Sequence, residues 1–207
     1  MTYYLDHILW ICADLDSGCR RIEQLTGVIP RYGGAHVSGA THNSIVGLGG
    51  RCYLEILAPT GAAQSGTDEL ARWASAASEP RVLTYCVRSK WPLSEVAARA
   101  KARGWQNTVV AENGRKTPDG TLLRWQWLVP RAAEFGLALP FFIDWLDSIH
   151  PSQAQSALSL RSFAVGHPRS DELHGVLAEL GSPIDTFQAD AIQFRVTLNS
   201  PKGVIEL

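Results

Sequence analysis

The chain is 207 residues long, enough to bury a sizeable core, and its 45% hydrophobic and 19% charged residues exclude a disordered chain. The formal net charge is -1, and Lys and Arg are scattered rather than interleaved with aromatics, which excludes nucleic acid and anionic membrane as partners. A small-molecule ligand and a second copy of the chain, as a homodimer, are the expected partners.

Leu5 to Cys12 is a nearly continuous apolar run, the pattern of a strand buried on both faces. Asp14 or Asp16 then offers an N-cap, and Ile22 and Leu25 supply a helical stripe up to Gly27. Pro30 to Val37 reads as a strand, and His42–Leu48 and Arg51–Leu57 as a hairpin turning at Gly49-Gly50. Thr67 to Ala77 is expected to form a short helix. The order then recurs: a strand over Val82–Arg88, a helix over Leu93–Arg103 ending at Gly104, and strands over Trp105–Val110, Thr121–Val129 and Phe141–Trp145. It recurs once more, with Leu158–Val165, a helix over Ser170–Leu180 ending at Gly181, then Ile184–Gln188, Ala191–Leu198 and Gly203–Leu207.

The expected fold is therefore α+β, built of repeated βαβββ modules over residues 1–60, 81–147 and 157–207, with connectors at 61–80 and 148–156. No basic stretch followed by an apolar one opens the chain, and no apolar run reaches the length of a membrane span. Cys12, Cys19, Cys52 and Cys86 lack CxxC spacing and read as free thiols in a reducing cytoplasm.

Leu5-Asp6-His7-Ile8, Gly39-Ala40-Thr41-His42-Asn43 and Tyr53-Leu54-Glu55-Ile56 resemble the vicinal-oxygen-chelate superfamily, which includes glyoxalase, bleomycin-resistance and extradiol dioxygenase proteins. Pro118-Asp119-Gly120-Thr121 and Pro140-Phe141-Phe142-Ile143-Asp144-Trp145 extend the likeness to its glyoxalase-like domain branch, which is largely bacterial. The resemblance implies curved mixed sheets around a cleft, with metal ligands on the first and last strands of each module. Those positions fall on His7 and Glu55 in the first module, on Thr84 or Tyr85 and near Asp144 in the second, and on Arg161 or Ser162 and Glu206 in the third. The four-ligand set of the metal enzymes is thus incomplete.

Read from the residues, Glu55 is a carboxylate within an apolar strand, costly to bury unless it binds a metal, pairs with a cation or accepts hydrogen bonds. A tight Gly49-Gly50 turn places Ser44 opposite Glu55 and His42 diagonally on the same face. His7 and Glu55 are the expected metal ligands, for zinc, iron, manganese or nickel. Glu55, His42 and Asp144 are the expected catalytic groups, and Arg124 and Asn43 the substrate-binding ones. Against this, His7 reads equally as a core histidine, Glu55 as the partner of Arg51, Arg124 or Arg161, Asp144 as a loop cap, and Arg124 as part of a solvated face. Two functions follow: a metal-dependent lyase, isomerase or dioxygenase acting on a small oxygenated substrate, or a metal-free binding or sequestration protein using the same cleft.

Overall fold

A computed structural model describes residues 4–62, 66, 68–153 and 156–207. Thr67, where the short helix is expected to begin, and Ala154 and Gln155 of the second connector lie outside the described residues.

The chain opens with β1 (Leu5–Ile11), α1 (Leu15–Thr26), β2 (Arg31–His36), β3 (Thr41–Gly47) and β4 (Tyr53–Pro59). After α2 (Glu69–Ser75) come β5 (Arg81–Val87), α3 (Leu93–Ala102), β6 (Ala111–Lys116), β7 (Leu122–Leu128) and β8 (Phe141–Asp144). These eight strands close into a barrel in the order β1-β4-β3-β2-β6-β7-β8-β5. The two halves meet at two seams. One is the long antiparallel pairing of β1 with β5, and the other is shorter, joining β2 to β6 at Ala35↔Lys116 and His36↔Arg115 and continuing as the Val37 N–H donated to the Gly114 carbonyl at 3.0 Å. The fold is α+β with a strongly curved, mixed sheet: β1–β4 and β5–β8 are parallel pairs, and the other pairings are antiparallel.

Barrel closure explains why β1 reads as unbroken apolar sequence. Ile8 and Trp10 face outward into the main core beneath α1, while His7 and Leu9 face the interior, so neither face meets water. Helix α1 starts where Asp14 accepts the Ser17 N–H at 2.8 Å and ends at Gly27, whose φ of 77° is the left-handed cap expected of glycine. The remaining residues form β9 (Ser159–His167), α4 (Ser170–Glu179), β10 (Asp185–Gln188), β11 (Gln193–Ser200) and β12 (Gly203–Glu206). They make a separate four-stranded sheet in the order β10-β9-β11-β12, packed on the barrel's outer face where Phe163 meets Tyr85 at 4.9 Å between ring centres. Among the described residues no helix is long and apolar enough to cross a membrane.

Two expectations are corrected. The strand placed at Trp105–Val110 lies instead at Ala111–Lys116, a polar run with a glycine and no period-two signal; only Gln106 of the earlier stretch pairs, as a single bridge to Arg131. The β3–β4 turn is wider than a two-residue turn, with Gly47 opposite Tyr53 and both Gly49 and Gly50 at positive φ. The added residue shifts the register by one, so Ile45, not Ser44, faces Glu55. A one-residue slip exchanges the two faces of a strand, so Asn43 replaces His42 beside Glu55.

Candidate functional site

The barrel interior holds a chain of hydrogen-bonded polar groups. His7, 3% exposed, stacks on Tyr53 at 4.6 Å and meets the edge of Phe141 at 5.3 Å. A bulge between Leu5 and His7 lets neighbouring side chains meet, and Nδ1 of His7 lies 2.8 Å from Oδ1 of Asp6. Asp6 is fully buried and also accepts from Nε2 of His150 at 3.1 Å and Nε1 of Trp145 at 3.2 Å. Burial opposes its ionisation, but the hydrogen bonds from His150 and His7, with the electrostatic influence of both rings, hold its carboxyl well below the usual carboxylate range. The ionised Asp6 fixes Nδ1 of His7 as the donor and turns Nε2 towards Glu55, whose Oε2 is 3.4 Å away.

Glu55, 5% exposed, is met from the other side by Nε2 of His36 at 3.7 Å from Oε1. Nδ1 of His36 is held by Oγ1 of Thr41 at 2.8 Å. Burial lowers the His36 pKa, Glu55 acts against that shift and Arg115 with it. Asn43 donates from Nδ2 to Oε1 of Glu55 and accepts on Oδ1 from Nη1 of Arg115 at 2.7 Å, an arrangement that fixes the orientation of its amide. Arg115 is 2% exposed, and its Nε has no hydrogen-bond partner. Space for this pair comes from Gly33, at a bulge of β2: a Cβ there would lie 2.6 Å from Nη1 of Arg115 and closer still to Oδ1 of Asn43.

Of the residues expected from sequence, His7, Asn43 and Glu55 come together here. His42 lies on the opposite face of β3, its ring edge-on to Tyr32 at 6.2 Å, because of the register shift. Arg124 faces solvent and pairs with exposed Glu112 at 3.8 Å, since β7 turns Trp125 and Trp127 inward. Asp144 is exposed and accepts the Leu146 N–H at 2.9 Å; the inward residues around β8 are Phe141, Ile143 and Trp145.

Sequence reading missed His36, Arg115 and His150. His36 ends a strand with no clear pattern, Arg115 lies on the polar strand placed elsewhere, and His150 stands before Pro151 in the second connector. The usable signal was Asp6 beside His7: a buried carboxylate needs donors, and a distant histidine and tryptophan supply them.

Two groups in this region offer metal-ligand chemistry. Asp6, His7 and Cys86 place one ligand atom each within 4.8 Å of one another. There, however, the Asp6 oxygens already accept hydrogen bonds, and burial pushes the Cys86 thiol well above its ordinary pKa. His7, His36 and Glu55 form a wider set, whose imidazoles have Nδ1 occupied and Nε2 directed at opposite oxygens of one carboxylate. In the second half the corresponding inward positions are Thr84, Cys86, Phe141 and Ile143.

The interior cavity is about 60 Å³ and shares Asp68, Leu70, Trp127 and Phe141 with an outer cleft of about 790 Å³. The interior therefore has an apolar approach.

Known structures share this architecture. A hypothetical protein from Staphylococcus aureus superposes with a TM-score of 0.68 at 14% identity, over 91% of this chain and 87% of that one. A triple mutant of 4-hydroxymandelate synthase from Streptomyces coelicolor gives 0.52 at 9% identity, over 99% of this chain and 62% of that one. Methylmalonyl-CoA epimerase in complex with methylmalonyl-CoA and NH4+ gives 0.49 at 19% identity, over 72% and 99%. At such identities the likeness to the first two concerns the fold alone. No curated protein matches the chain in sequence. A family model of the glyoxalase-like domain matches residues 5–181, so the chain belongs to the glyoxalase-like domain family.

Proposed function

We propose that the chain is a metal-dependent enzyme acting on a small oxygenated, anionic substrate inside the barrel, with His7, His36 and Glu55 holding a divalent cation. The observation that carries this reading is the direction of the two imidazoles. Each has Nδ1 tied down, by Asp6 or Thr41, and each sends Nε2 towards Glu55 at 3.4 or 3.7 Å, long for a hydrogen bond. Two imidazoles and a carboxylate suit zinc, iron(II), manganese or nickel, and outer groups that orient the imidazoles strengthen such sites. When bound, the cation would supply Lewis-acid polarisation of substrate oxygens.

The chain's own residues do the rest. Asp6 keeps the His7 ring in one orientation through Nδ1. Asn43, held by Arg115, fixes one Glu55 oxygen and leaves the other facing His7. Trp125, Trp127 and Phe141 exclude water, which strengthens every charge interaction within.

The metal-free binding reading is favoured by one observation: the inward positions of β5 and β8 carry no imidazole or carboxylate among the described residues. Elemental analysis of the untagged protein, with titration of iron(II), manganese, nickel and zinc, separates the two. Near-stoichiometric metal is expected, lost in His7→Ala, His36→Ala and Glu55→Ala and retained in Cys86→Ala. Metal retained in His36→Ala but lost in Cys86→Ala would move the centre to the Asp6–His7–Cys86 group. No metal in any preparation would leave the sequestration reading.

A further inference from the structure

We infer that the chain takes carboxylic acids with an extended apolar tail, the carboxylate resting on Arg115 inside the barrel and the tail lying in the outer cleft. This names the substrate class of the His7–His36–Glu55 centre and rests on that reading.

The head group follows from Arg115. It is 2% exposed, so its charge is out of water, yet among the described residues no carboxylate lies within ion-pair distance. Its Nη1 is committed to Asn43, and Glu55 is reached only through that amide. Its Nε has no partner. A buried guanidinium with an idle N–H is costly to maintain, and a planar anion is the ligand that its fork geometry fits. The nearest acidic group on the approach, Asp68, is engaged in capping α2, where it accepts the Ala71 N–H at 2.9 Å.

The tail follows from the shape and lining of the two spaces. About 60 Å³ holds a head group but no larger body, so the rest of the molecule extends through Leu70, Trp127 and Phe141 into the cleft of about 790 Å³. Trp73, Trp105 and Leu137 line that cleft. Its one arginine, Arg131, is already paired with Glu69, so the cleft offers no free cation among the described residues for a phosphorylated tail. Indole and aliphatic walls favour a hydrocarbon or aromatic body.

Calorimetric titration of acetate, phenylbutyrate and the neutral phenylbutyramide into wild-type protein, with and without prior metal removal by chelator, tests this. Phenylbutyrate is expected to bind at least about tenfold tighter than either acetate or the amide, since one lacks the tail and the other the charge. Arg115→Met should bring acid and amide together. Trp73→Ala, which alters the outer cleft alone, should weaken phenylbutyrate by about tenfold while leaving acetate unchanged. The amide series uses the unaltered protein, so it stands even if Arg115→Met folds poorly. An amide that binds as well as the acid, or acetate that binds as well as phenylbutyrate, would overturn the inference. So would acid binding that needs metal and survives Arg115→Met, although the metal reading would then stand. Acid selectivity that persists in a protein unable to hold any metal would sink the metal reading and keep this one.

Discussion

The two halves of the barrel share a strand order but line the interior differently. Strands β1 to β4 contribute His7, His36, Asn43 and Glu55, whereas β5 to β8 contribute Trp125, Trp127, Phe141 and Ile143, with Arg115 at the seam between them. A barrel of matched strand order thus has one polar wall and one largely apolar, or dry, wall. The difference teaches that an apolar wall opposite polar groups is more than packing, since it lowers the local dielectric and strengthens charge interactions across from it.

The largest effect is expected from His150→Ala, which removes a support of the polar wall. Asp6 would stay fully buried while losing the Nε2 donor at 3.1 Å, at a cost of about 3–5 kcal/mol, as in other broken buried pairs. Urea unfolding measures this; a change below about 1 kcal/mol would mean that Trp145, His7 and Arg88, whose Nη1 lies 3.6 Å from Oδ2, suffice to hold Asp6 ionised. Next comes Gly33→Ala, which forces a methyl group against the Asn43–Arg115 pair. Overpacking of that kind costs about 1–3 kcal/mol, and carboxylate binding should fall with it. Unchanged stability and binding would show that the two side chains have room to retreat. The smallest effect belongs to Arg124→Ala on the outer face of the dry wall, where stability should move by no more than about 0.5 kcal/mol and metal and acid binding should not move at all. Loss of either binding activity would reverse the inside and outside of β7.

Much of the fold is legible in the sequence because its signals are local: the Asp14 cap, the left-handed Gly27, and an apolar β1 that demands cover on both faces. Glu55 and His7 are legible as buried polar groups on such strands. The rest of the site depends on longer-range geometry. The turn after β3 differs from the expected one by one residue, and that shift moves Asn43 in and His42 out. Arg115 lies on Ala111–Lys116, whose sequence has no strand periodicity; six pairings with β7, not a side-chain pattern, hold it. His150 meets Asp6 across 144 positions of chain, which no local pattern encodes.

The short seam has a mechanical consequence. Ala35↔Lys116, His36↔Arg115 and the hydrogen bond from the Val37 N–H to the Gly114 carbonyl join this side, against six pairings between β1 and β5, so the barrel has a firm spine on one side and a clasp on the other. The clasp residues are themselves a candidate metal ligand and a candidate anion receptor. A molecule seated between them would fasten the clasp, and amide exchange along this seam is then expected to slow when ligand is bound.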